Sequence, residues 1–347
     1  MNRATRIAAL AALVVLLIVM PWIGVPIPPL FSEAMSAPGS LNLLALCFVF
    51  GALALSYDII FGFAGLLSFG HALYFAAGVY VTAIALTHWH CTLLQAMGIT
   101  IVVALILPLV IGAVCLRVRD IQFAMVTLAF AQAGSILVMQ NPFGLTGGEE
   151  GLALGPSALP AALVGVANTR NIYWIALAFL VLTCAIGVWS VNSAAGRVWQ
   201  AIRENERRVA VIGLNPYLYK LGAFVLSSFL ASMAGVVYMV VEGSASPDVT
   251  TASFTLVLLV MVVLGGVGTL WGAVLGGIVY EYLDFRLVVL ANASGLQSLP
   301  AFLRVPLSEP LFILGVLFII LVLFVPGGLA GAVRRLNPAS LSSSGSH

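Results

Sequence analysis

The strongest constraint on this chain is a series of apolar runs, each about as long as a bilayer is thick, with almost no charge inside them. They read Ile7–Val25, Leu41–Phe61, Ala72–Thr87, Met97–Leu116, Ile121–Met139, Ile172–Val191, Leu221–Val241, Ala252–Leu290 and Leu311–Val325. A helix of about 20 residues crosses ~30 Å of hydrocarbon. The run Ala252–Leu290 is too long for one crossing at ~1.5 Å per residue, and its glycine cluster GGVGTLWG (Gly265–Gly272) is the natural break. The fold class is therefore an all-α polytopic membrane protein of about ten transmembrane helices. Charged residues make up only 7% of the 347, against about 25% in a soluble domain. A water-facing surface cannot be covered.

Basic residues set the orientation. With a cytoplasmic N-terminus, the inner segments hold Arg3, Arg6, Arg117, Arg119, Arg197, Arg203, Arg207, Arg208, Lys220, Arg334 and Arg335. The outer segments hold only Arg170, Arg286 and Arg304. That excess inside also places the C-terminus in the cytoplasm. Arg3 and Arg6 ahead of Ile7–Met20 resemble a signal peptide, yet the apolar run resumes after Pro21, so a retained anchor is expected. Residues 1–335 read as one transmembrane domain, and 336–347 as a disordered cytoplasmic tail.

The most charged stretch is GRVWQAIRENERRVAVIGLNPYLYK (Gly196–Lys220). Val198, Ile202, Val209 and Ile212 recur near helical spacing, Ser193 caps the start, and Glu204 precedes Arg208 by four residues, the favourable ion-pair order. Gly213 and Asn215-Pro216 supply a stop. A short cytoplasmic amphipathic helix over 196–213 follows. Two roles stay open: an interfacial helix on anionic membrane lipid, or a helix seated in a partner's groove.

The segment SFGH (Ser68–His71) interrupts the hydrocarbon and is flanked by Gly62 and Gly65, with Gly70 inside it. Ser68 and His71 lack a positioned base–nucleophile–carboxylate set, since Asp58 is the only acid nearby. His71 reads as a hinge with a backbone or hydroxyl partner, or as a pathway residue. Thr127 and Gln132 are candidates for the same path. Gly268, Gly272 and Gly276 recur every four residues, which places them on one helix face for close packing. Glu149 and Glu150 in LTGGEEGL read as a solvated turn. His88-Trp89-His90-Cys91 fits no zinc spacing, and the four cysteines form no C-x-x-C pair, so neither a metal site nor a cofactor is expected. No Walker motif occurs. No acid other than Asp58 lies in the first seven spans, which weighs against proton coupling. Coupling to another ion through backbone carbonyls remains the alternative.

Several of these stretches together resemble one family. GFAGLLSFGHALYFAAGVY (62–80), RDIQFAMVTLAFAQ (119–132), TGGEEGL (146–152), GRVWQAIRENERRVAVIGLN (196–215), YKLGAFVLSSFLASMAGVVY (219–238), GGVGTLWGAVLGG (265–277) and VPGGLAG (325–331) follow in order. They are similar to the permease subunits of branched-chain amino-acid ABC transporters (LivM type). GVY in place of GAY, Asp58, and the acids Glu149-Glu150 depart from the family pattern and leave the solute open among branched-chain amino acids, urea and short amides. The resemblance implies a bacterial inner-membrane importer with a second permease subunit, two cytoplasmic ATPase subunits and an extracytoplasmic solute-binding protein. It implies no nucleic-acid partner and no ATP hydrolysis on this chain. By the same resemblance 196–213 is the coupling helix, with Ala201, Ile202, Arg203, Glu204, Asn205, Glu206 and Gly213 facing the ATPase. Gly65, Ser68, Gly70, His71, Thr127 and Gln132 are then the path or hinge.

Overall fold

The computed structural model describes residues 15–22, 35–155, 158–165, 168–291, 310–324 and 327–336. Most of the expected first span and the tail from residue 337 lie outside them. Residues 15–19 are helical and lead into a 3-10 turn, Met20–Trp22.

Eleven helices follow among the described residues: α1 (Pro38–Asp58), α2 (His71–Thr87), α3 (Leu93–Cys115), α4 (Asp120–Gln140), α5 (Thr169–Asn192), α6 (Ala194–Val211), α7 (Pro216–Glu242), α8 (Ala252–Gly265), α9 (Leu270–Ala291), α10 (Pro310–Phe324) and α11 (Gly328–Leu336). Their ends follow from local chemistry. Pro38 and Pro216 open α1 and α7 at a position where a missing N–H costs nothing. Thr92 and Gln95 form a reciprocal capping box on α3. Asn141 (φ 47°) and Gly243 (φ 70°) close α4 and α7 in the left-handed region.

Among the described residues, five helical segments are long and apolar enough to cross a membrane: Pro38–Phe63, Leu93–Cys115, Asp120–Gln140, Thr169–Asn192 and Pro216–Glu242. α2 and α8 are shorter apolar helices. α9 is equally long but carries Glu281, Asp284 and Arg286. α1 is the centre of the bundle and packs against α5, α7, α8 and α9. From Phe48 to Asp58 every α1 residue is buried, as expected for a helix with no polar face. α2 lies between α7 and α3. A two-stranded ribbon, β1 (Leu152–Ala153) with β2 (Ser244–Ala245), ties the loop after α4 to the end of α7.

One packing expectation is corrected. Gly272 and Gly276 do sit where α9 crosses α8: a Cβ on Gly276 would run into the Met261 carbonyl, and one on Gly272 would lie 2.7 Å from the Gly265 oxygen. Gly268 is not on that face. The chain reverses between α8 and α9 through Gly266 (φ 117°) and Gly268 (φ 75°), so α9 begins only at Leu270. α11 is a short helix that the sequence reading did not assign.

Candidate functional site

Two features mark one end of the bundle: a break in the helices after α1, and the charged helix α6. α1 passes into a π-turn, Ile59–Phe63, and the chain then runs without helix until His71. The turn around Gly268 at the far end of α8 contacts Asp58 through the Gly268 N–H. The Ala72 N–H, by contrast, donates to Thr255 near the start of α8 (3.0 Å). Ten helical residues separate Thr255 from Gly265, or ~15 Å, so residues 64–70 run back along the bundle, with Gly65 exposed and Ser68 and Gly70 buried.

Irregular backbone at that depth is tolerated only when its polar groups are satisfied. Here side chains from two neighbouring helices and from the segment itself do so. The Tyr57 hydroxyl donates to the Ser68 carbonyl (3.0 Å), the Phe69 N–H donates to Thr127 Oγ1 (3.1 Å), and the Gly70 N–H donates to Ser68 Oγ (3.2 Å). His71 Nε2 lies 2.9 Å from Ser56 Oγ. That hydroxyl points its single proton at the Leu53 carbonyl (2.6 Å), which leaves the imidazole Nε2–H as donor to Ser56 Oγ. His71 is buried, with its ring edge-on to Tyr57 at 5.1 Å.

The structure thus brings Ser68, Gly70, His71 and Thr127 together. It does not bring Gln132 to them: Thr127 is buried and Gln132 is exposed, on another face of α4. Five residues on a 3.6-residue turn separate them by about 140°. Nor do Ser68, His71 and Asp58 form a relay. Ser68 Oγ accepts from Gly70, His71 meets Ser56, and Asp58 Oδ1 accepts from the Gly268 N–H at 2.7 Å.

Asp58, fully buried, belongs to a second cluster that the sequence did not reveal. The Arg203 guanidinium donates to the Gly62 carbonyl. The tip of Arg203 therefore touches the bundle while the residue as a whole stays exposed, a contact that stands beside its expected outward role. Gly65 has φ 71°, and a Cβ there would lie 2.8 Å from Arg203 Cγ; one on Gly268 would lie 2.9 Å from Arg203 Nη1. Gly65 and Gly268 make room for this arginine, and Gly62 for the Asp58 carboxylate and the Gly268 N–H beside it. Glycine spacing was the available signal, but a sequence does not say what a glycine makes room for.

α6 itself is two short helices. Ser193 Oγ caps the first by accepting from the Gly196 N–H (3.1 Å). Asn205 leaves helical geometry (φ −161°, ψ 97°), and its side-chain oxygen accepts from the Arg208 N–H (3.1 Å), which restarts the helix. The expected Glu204–Arg208 pair does not form, because the break lies between them; Glu206 pairs instead with Lys220 of α7 at 2.7 Å. Trp199, Ile202 and Val209 are buried against the bundle, and the Trp199 indole N–H donates to the Tyr219 carbonyl (2.8 Å). Trp199 was missed from the sequence, and Ile212, grouped there with Ile202 and Val209, does not share their burial. The other side of α6 is open: Ala201, Glu204, Asn205, Arg207 and Arg208 are exposed, with Val211 at 86% and Ile212 at 73%. Gly213 (φ 89°) ends the element.

Glu149 and Glu150 are exposed in a 3-10 turn, and His88, Trp89 and His90 are exposed beyond α2.

The family described as the permease component of branched-chain amino acid transport systems matches residues 39–325. The chain is 27% identical over 271 residues to the high-affinity branched-chain amino acid transport system permease protein LivM of Salmonella typhimurium, covering 70% of this chain and 62% of that protein. It is 27% identical over 266 residues to LivM of Escherichia coli K12, with the same shares covered. Against LivH of Salmonella typhimurium it is 26% identical over 256 residues, covering 66% of this chain and 79% of LivH. The matched region thus spans less than two thirds of the LivM proteins. No solved structure gives a significant match.

Proposed function

We propose that this chain, which belongs to the family of permease components of branched-chain amino acid transport systems, is one membrane subunit of an ATP-driven importer. Branched-chain amino acids are the first solutes to test, with urea and short amides behind them. The permease works in a bacterial inner membrane with both termini in the cytoplasm, an orientation supported by its basic residues. It pairs with a second permease subunit. An extracytoplasmic solute-binding protein delivers solute, and two cytoplasmic ATPase subunits supply the work. Alternating access follows: ATPase closure moves α6, and α6 moves the spanning helices.

One observation carries this reading. α6 is anchored underneath by Trp199, Arg203 and the Glu206–Lys220 pair, yet leaves Glu204, Val211 and Ile212 open on its other side. A helix serving only as an anchor on anionic lipid would set basic residues alone beside its apolar ones, whereas this open side also carries Glu204. Exposed apolar residues beside both signs of charge suit a protein groove better.

The test is reconstitution. The chain, purified gently from its own cells, should bring an ATPase and a second permease with it, and the assembly in vesicles should take up solute only with ATP and binding protein. Uptake driven by an ion gradient without the ATPase would replace this reading with a secondary transporter. Glu204→Ala with Ile212→Asp should lower ATPase co-purification by about tenfold, the loss of a small interface cluster. Undiminished recovery would remove α6 as the docking face.

A further inference from the structure

The guanidinium of Arg203 sits at the meeting point of three elements that no continuous stretch of chain connects: the π-turn after α1, the first half of α6, and the α8–α9 turn. Its present acceptor is available for a structural reason. Across the π-turn the Ala64 N–H bonds to Ile59 and the Leu66 N–H to Ile60, so the helix ladder skips the Gly62 carbonyl and leaves it for a side chain. Beside it lies the Asp58 carboxylate. One oxygen accepts from the Gly268 N–H; the other, Oδ2, is buried with no hydrogen-bond partner among the described residues. Arg203 forms no ion pair with it in this structure, but its guanidinium lies at the same turn, where a Cβ on Gly268 would sit 2.9 Å from Arg203 Nη1. A buried carboxylate oxygen without a partner is costly, and a guanidinium has donors enough to serve both the carbonyl and the carboxylate.

We propose that Arg203 is the residue through which α6 acts on the spanning helices, with two seats: the Gly62 carbonyl, occupied in this structure, and Asp58 Oδ2, taken when α6 shifts. The non-helical Asn205 lies two residues beyond Arg203 and separates this lever from the half of α6 that Glu206 holds to Lys220. Moving the guanidinium from a carbonyl on the π-turn to a carboxylate bonded to the α8–α9 turn transfers its pull between those two elements. Gly62, Gly65 and Gly268 leave the space in which that transfer happens. Arg203 is a positioning residue in this scheme; it touches no solute.

The inference rests on the importer reading, so its test has two arms. In the full complex in vesicles, Arg203→Gln and Asp58→Asn should each raise the ATP hydrolysed per solute imported by about tenfold, the effect of one charge-assisted hydrogen bond. The double variant should be no worse than either single one, and Arg203→Lys should recover part of the coupling. Asp58→Asn keeps an oxygen for the Gly268 N–H, so it separates the charge from the fold. The second arm needs no transport: amide exchange across 59–70 should quicken in Arg203→Gln. An unchanged ATP-to-solute ratio in both single variants overturns the two-seat lever. A parent complex with no ATP-driven uptake, together with faster 59–70 exchange, overturns the importer reading and keeps the clamp. Unchanged exchange there overturns the clamp as well.

Discussion

Two glycine-rich segments interrupt the helices: Gly62–His71 between α1 and α2, and Gly144–Gly151 after α4. Both carry small residues, left-handed glycines and a few polar side chains, and they differ in who holds them. The first is fastened from other elements, by Tyr57, Thr127 and Arg203 and, at the adjoining Ala72, by Thr255, from four different helices. Within 144–151 the second is fastened locally, and its long-range tie, the β1–β2 ribbon to the end of α7, begins only at Leu152. Thr146 bonds to Asn141 and Val138, and the Gly151 N–H to Gly148, while its two glutamates face outward. A segment held by its own neighbours can shift without disturbing the bundle. A segment held by four helices moves only when they do, or moves them.

The largest effect should come from filling space in the first segment. A Cβ on Gly62 would overlap the Asp58 carboxylate and lie 2.5 Å from the Gly268 nitrogen, and neither is the free end of a flexible side chain. Gly62→Ala should therefore destabilise by about 3 kcal/mol, the upper range for overpacking. Gly144→Ala meets nothing within 4 Å and has only its φ of 69° against it, which costs about 1 kcal/mol. Denaturation of the two variants side by side in detergent checks the ranking. Equal losses would erase the distinction between the segments.

The next effect is a hydrogen bond. Thr127→Val keeps the shape and removes the acceptor of the Phe69 N–H in a buried site. An orphaned donor costs about 1–3 kcal/mol. Its signature should be local: faster amide exchange at Phe69, with the Gly144–Gly151 loop unchanged. Exchange rising equally in both segments would mean that the variant loosens the whole bundle, and the long-range fastening would lose its meaning.

How much of this could be read from the sequence depends on the range of the cause. Helix ends were legible, because missing charge, glycine and proline act within a few residues: Gly265–Gly272 broke the longest apolar run as expected. Burial was not. α1 and α3 are both apolar all round, yet α1 is the centre of the bundle and α3 exposes Val102, Ile106 and Val110, since a helix without a polar face carries no sign of which side meets protein. The break at Asn205 was hidden in a stretch that reads as one amphipathic helix, so Ile212 does not share the burial of Ile202 and Val209. His71 was expected to find a backbone or hydroxyl partner, but nothing near it in sequence pointed to Ser56. The contact of Arg203 with the bundle was not legible because its acceptor, the Gly62 carbonyl, lies 141 positions away.

The smallest effect is expected where charge is most conspicuous. Glu149 and Glu150 are adjacent carboxylates, and adjacency invites a role. Both are exposed, and neither forms an ion pair among the described residues. Two like charges in water repel by only about 1 kcal/mol at ~4 Å, and salt reduces that further, so this loop neither gains nor loses much from them. Glu149→Gln and Glu150→Gln, alone or together, should leave stability within about 0.5 kcal/mol, as for surface substitutions generally. Low salt should bring a slight gain for the double variant as the repulsion is removed. A clear loss that salt does not alter would show that the acids hold something the loop's own Thr146–Asn141 bonds do not. The second segment would then be fastened from outside, like the first, and the contrast between them would reduce to which partner does the fastening.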